Sequence, residues 1–62
     1  MTDFDALVLD ELERLLHMVK AHLAQANEWG EHDRIAPLYR RHSAIERAIN
    51  AIRIQDIEEF FV

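Results

Sequence analysis

Apolar residues recur in alternating steps of three and four at Leu9, Leu12, Leu16, Val19, Leu23 and Ala26. Side chains at that spacing share one stripe of an α-helix, and the alternation is the heptad seam of helices that pack together. Upstream, Thr2 followed by Asp5 forms a capping-box pattern with Asp in place of Glu, and Asp3 and Asp5 suit the positive end of a helix dipole. These features predict a first helix over about residues 3–28. Gly30 can take the left-handed conformation that ends a helix. Asp33 suits the N-cap of a second helix, and Pro37 is tolerated in or near a first turn. A turn at about 29–33 and a second helix at about 34–60 are therefore predicted.

The second helix has its own seam at Ile35, Leu38, His42, Ile45, Ile49 and Ile52. Folding the chain back about Gly30 sets Leu23 opposite Leu38, Val19 opposite His42, Leu16 opposite Ile45, Leu12 opposite Ile49 and Leu9 opposite Ile52. Every layer but one is apolar on both sides. The fold class expected is all-α, an antiparallel helical hairpin in a single domain spanning residues 1–62. The structural alternative is one continuous coiled coil kinked at Gly30 and Pro37.

A second apolar row lies beside the first seam. Val8, Leu15, Met18, His22 and Trp29 follow the same rhythm from Phe4 onward, interrupted by Glu11 and Gln25, while Asp10, Glu13, Lys20 and Asn27 make the opposite side polar. On helix 2, Ala44, Ala48 and Ala51 form a small-residue row that allows another helix to come close. One partner helix needs only one seam. The extra rows predict a homodimer in which two hairpins form a four-helix bundle, with these eight residues in its interface.

Size supports that expectation. A chain of 62 residues buries only about 60 % of the surface its unfolded form exposes. Small scaffolds commonly add disulfides, a metal or self-association. There is no cysteine, which removes disulfides and thiolate ligands together. With 50 % apolar and 31 % charged residues and one each of Gly and Pro, the composition is that of an ordered helical protein. No apolar run approaches the roughly 20 residues needed to cross a bilayer, so no membrane association is expected. The acidic opening Met1-Thr2-Asp3-Phe4-Asp5 lacks the basic and apolar regions of a secretory leader. A cytoplasmic location is expected.

Catalytic chemistry finds little to stand on. No two of His17, His22, His32 and His42 have the three- or four-residue spacing that points two ligands from one helical face, and the Glu-x-x-His pattern of di-iron bundles is absent. No Gly-rich phosphate loop or Ser nucleophile elbow is present. The chain is read as a non-enzyme with no metal and no cofactor. His42, the single polar seam residue, is read as a core histidine bonded to a neighbour, with a register device or pH-sensitive interface as the alternative.

Charge is unevenly placed. Residues 1–13 hold five acids and no base, whereas residues 34–53 hold five arginines and one acid. The arginines are expected to face acids of helix 1 or of a second subunit, with Arg53 near Asp5 and Arg41 near Glu46. Alternatively Arg40, Arg41 and Arg47 form a short phosphate-binding strip, whose few contacts predict weak, salt-sensitive binding. The net charge of −5 argues against a general nucleic-acid binder.

Past Ile52 the apolar residues leave the seam. In a hairpin the two ends meet, which would gather Phe4, Leu7, Ile54, Ile57, Phe60 and Phe61 at the open end, rimmed by Asp3, Asp5, Asp56, Glu58 and Glu59. Apolar patches with polar rims mark interfaces, and aromatic anchors are favoured there. The function expected is a small protein-interaction module: a regulator, adaptor or chaperone-like subunit that dimerises and binds another protein through this end. The length, two-helix layout and expected pairing resemble, in architecture alone, the Rop family of plasmid copy-number regulators. That resemblance implies a four-helix bundle of two hairpins that binds paired RNA loops, for which the arginines of helix 2 would serve here.

Overall fold

The computed structural model describes the backbone of residues 2–61 and the side chains of residues 2–55. It contains two α-helices, α1 (Asp3–Glu28) and α2 (His32–Phe61), packed against one another as a hairpin. The chain reverses at Gly30, which excludes the continuous coiled coil.

Helix α1 starts where the capping pattern places it. The Asp5 N–H donates to Thr2 Oγ1 at 3.1 Å, and the Thr2 N–H reaches back to Asp5 Oδ2 at 3.5 Å. Two of the orphan donors at the helix start are thereby satisfied. Its far end closes in a Schellman turn. Gly30 sits at φ +69°, the Glu31 N–H donates to the Ala26 carbonyl at 2.9 Å, and the Gly30 N–H donates to Asn27 at 3.4 Å. A residue with a Cβ meets a steric penalty at such a φ, so the single glycine falls where the chain needs it.

Helix α2 begins two residues earlier than the sequence predicts. The His32 N–H donates to Gly30 and the Arg34 N–H to Glu31, both at 3.0 Å, and Arg34 also pairs with the Glu31 carboxylate at 2.8 Å. Asp33 therefore lies inside the first turn and does not cap it. Pro37 is the sixth residue of the helix and lies in its interior.

Both seams form the contact between the helices. Val19, Leu23, Ala26, Leu38 and Ile49 are buried, and Ala26 retains only 1 % of its exposure. Ile35 and Ile45 pack against the cluster of the first four, and the seam residues Leu9, Leu12, Leu16, His42 and Ile52 are half-buried. Leu23 and Leu38, set opposite each other by the sequence, lie in one buried cluster.

The hairpin is one helix thick. Its extents are 48 × 17 × 12 Å, and its radius of gyration of 14.5 Å exceeds the roughly 11 Å of a compact domain of this length. Its accessible surface is 5016 Å², against about 4,200 Å² for a compact monomer of this mass. A single layer has only one side on which to bury anything.

Candidate functional site

The two helices leave a groove on either side of their contact, and the two grooves differ in chemistry. On one side Leu16 and Ile49 are bordered by Glu13, Lys20, Glu46, Asn50 and Arg53. Arg53 Nη2 donates to Glu13 Oε1 at 3.0 Å across this groove, an ion pair joining the helices between two half-exposed side chains. The opposite groove is lined by Leu15, Met18, His22, Arg41 and Ala44, with Val19 and Ile45 at its floor. The difference follows from the sequence. Turning one way round α1 from the seam meets the polar row, and turning the other way meets the second apolar row.

Of the eight residues expected in a subunit interface, Leu15, Met18, His22 and Ala44 line this second groove, and Val8, Trp29, Ala48 and Ala51 lie outside its lining. Leu15 and Met18 are exposed, Val8 and Ala48 half-buried, and Ala51 exposed. Trp29, the C-cap of α1, retains 62 % of its exposure. Arg41, considered from the sequence for phosphate binding, borders the same groove.

The open-end residues are placed differently. Phe4 and Leu7 retain 72 % and 67 % of their exposure, and Ile54 retains 55 %. Phe4 shares the angular position of His22 on the side of the apolar groove, whereas Leu7, nine residues before the seam residue Leu16, faces away from α2. Ile54 stands two residues past the seam residue Ile52, and at 100° per residue it faces away from α1. Ile57, Phe60 and Phe61 lie outside the residues whose side chains are described, as do Asp56, Glu58 and Glu59 of the rim.

The arginine pairings differ from expectation. Arg53 meets Glu13, not Asp5, because it leans toward the turn while Glu13 leans toward the open end. Glu46 is engaged by His42, whose Nδ1 lies 2.8 Å from Oε1, and not by Arg41. His42 is half-buried, with Tyr39 packed edge-on against it at 6.4 Å between ring centroids. Among the described residues Arg40, Arg41 and Arg47 are in no ion pair, and Arg47 Nε donates to the Ser43 carbonyl at 3.4 Å. Arg40 and Arg47, seven apart, share one exposed outer face of α2.

Tyr39 is an exposed aromatic that the seam pattern passes over, because it lies one residue beyond Leu38 and outside both rows. Among the described residues no group of three His, Cys, Asp or Glu side chains is placed to hold a metal ion, and no helix is long and apolar enough to cross a membrane.

The class defined by this geometry is a two-helix hairpin with one polar and one apolar lateral groove. No family model, curated protein or solved structure matches the chain.

Proposed function

We propose that the protein is a non-enzymatic interaction module that acts as a homodimer, two hairpins joined through their apolar grooves into a four-helix bundle. The observation that carries this reading is the uncovered apolar flank of α1, where Leu15, Met18 and Trp29 stand in solvent beside a small-residue row on α2. Stable domains bury such a flank against a second layer, and this hairpin has none of its own. The hairpin exposes about 800 Å² more than a compact monomer of its mass. A standard protein interface covers about 800 Å² on each partner.

In the same proposal, the open end, where Leu7 and Ile54 stand exposed on different faces of the hairpin, remains available to a different protein that spans it. Five acids in residues 1–13 make an apolar segment flanked by basic residues the complementary partner, since opposite potentials steer association. A cytoplasmic regulator or adaptor is the role this arrangement serves.

Sedimentation equilibrium at micromolar concentrations tests the dimer, and a species of 7.3 kDa that stays monomeric overturns it. Leu7→Glu plus Ile54→Glu tests the docking end, since both side chains lie outside the core. A partner captured by the wild type is expected to be lost by the variant while dimerisation persists. Equal capture by both chains removes this end from the proposal.

A second reading keeps one specific observation, the unpaired and exposed state of Arg40, Arg41 and Arg47 among the described residues. It is a phosphate-binding strip on α2 in the manner the Rop resemblance implies. Gel shifts with paired RNA loops in rising salt test it, and no retardation at low salt removes it.

A further inference from the structure

The flank of α1 left uncovered has a spacing that reads the same from either end. From Phe4 to Trp29 its positions follow steps of 4, 3, 4, 3, 4, 3 and 4 residues. The midpoint falls between Leu15 and Met18. A second copy of α1 laid antiparallel on this flank would meet it position for position, with the two-fold axis crossing between those residues.

The chemistry pairs along with the spacing. Phe4 would face Trp29 of the second copy, an aromatic against an aromatic. Leu15 would face Met18 of the second copy at the centre. Glu11 would face His22 of the second copy, an acid against an imidazole. Each of these contacts occurs twice by symmetry, as a self-complementary interface requires. Thus Glu11, an interruption when the row is read within one chain, becomes the complement of His22 when two chains are read together. The fourth pair, Val8 with Gln25, is not matched in this way.

We infer that the second copy docks with its α1 antiparallel to α1 of the first, the two-fold axis crossing the hairpins at the level of Leu15, Met18 and Ala44. This rests on the homodimer proposed above and specifies its geometry. The apolar groove supports it from the other helix. Ala44 lines the same groove as Leu15 and Met18, so an axis that centres the α1 pair passes beside the alanine row, where the two α2 helices can approach closely.

The competing arrangement places the two-fold along the bundle and sets α1 of one copy against α2 of the other. His22 and Arg41 border the same stretch of groove. In that arrangement Arg41 would face His22 of the second copy, and Glu11 would meet the row of Ala48 and Ala51. The acid then lacks a basic partner and two basic groups are juxtaposed. Among the described residues Glu11 is held within its own chain by Arg14 alone, at 3.0 Å on the exposed surface, which leaves its second carboxylate oxygen for another donor.

Two measurements on the full chain decide the matter. In sedimentation equilibrium, His22→Glu is expected to weaken dimerisation about tenfold by setting carboxylates opposite Glu11 at both symmetry-related contacts. Adding Glu11→Lys to His22→Glu is expected to restore it. Because the chain has no cysteine, a mixture of Phe4→Cys chains and Trp29→Cys chains is expected to form a disulfide-linked heterodimer on mild oxidation, whereas neither chain cross-links alone. A wild-type dimer whose mixed cysteine chains do not cross-link, or whose double charge variant stays weak, overturns this arrangement and leaves the dimer standing. A wild-type monomer overturns both.

Discussion

Replacing Pro37 with alanine separates two accounts of how α2 begins, because they predict opposite signs. With the helix starting at His32, Pro37 is the sixth helical residue. It has no N–H to give to the carbonyl of Asp33, and its ring crowds that carbonyl. Proline in a helix interior costs about 3 kcal/mol relative to alanine. Against this, proline also restricts the unfolded chain, an effect of about 0.4–1 kcal/mol that alanine would forfeit. Both Asp33 and Pro37 are exposed, so water satisfies part of what the helix does not. The net expectation is a stabilisation of about 2 kcal/mol, or a rise in Tm of about 8–16 °C for a domain of this size. If Pro37 instead occupied the first turn, only the unfolded-state effect would remain, and alanine would destabilise by about 0.4–1 kcal/mol. Thermal and urea unfolding followed by far-UV circular dichroism reads the sign directly. Both chains must be at the same concentration, because association shifts apparent stability by mass action. A lowered Tm would refute the interior placement of Pro37.

Substitutions at four further positions probe the rest of the hairpin. Leu38→Ala empties a site buried among Val19, Leu23 and Ala26, and urea unfolding is expected to show a loss of about 2–5 kcal/mol, a large share of the roughly 3–9 kcal/mol available to a chain of this length. Gly30→Ala adds a Cβ that meets nothing within 4 Å, so its expected cost of about 1–2 kcal/mol comes from the left-handed backbone alone; Gly30→Asn should cost less in the same titration. Thr2→Ala removes the capping box and is expected to lower stability by about 1 kcal/mol in thermal melts. Arg53→Ala is expected to cost less than about 1 kcal/mol, because both partners of its pair with Glu13 are roughly half exposed, and the difference should shrink further in high salt.

What the sequence revealed of the hairpin depended on local signals. The capping box at Thr2, the left-handed Gly30 and the two seams are readable because each is set by residues within one or two turns of helix. Every seam residue, from Leu9 to Ala26 and from Ile35 to Ile52, is buried or half-buried. Where the reading fell short, the missing information was three-dimensional. The start of α2 depends on how the Schellman turn delivers the chain to Glu31, and proline at position 37 drew the predicted start too late. Arg53 was assigned to Asp5 by its level along the chain, whereas its lean toward the turn carries it to Glu13. The second apolar row of α1 was legible from spacing alone, but the groove that joins Leu15, Met18 and His22 to Ala44 and Arg41 needed the helices side by side. The open-end set was drawn together by chain proximity alone, and the direction of Ile54 away from α1 shows that sharing an end is not sharing a face.

The opposite character of the two grooves bears on how far assembly can go. A hairpin apolar on both sides could add a neighbour to each, and heterologous addition of that kind grows without limit. Here one side is closed to such growth by Glu13, Lys20, Glu46, Asn50 and Arg53, charged and amide groups that already include a cross-helix ion pair and would lose water if covered. The apolar side has a spacing that matches itself reversed, so in the proposed dimer a second copy would meet every pair of the flank except Val8 with Gln25. Under that proposal a single self-complementary face backed by a polar one would give a closed pair, which would supply the hairpin's second layer and leave a charged exterior.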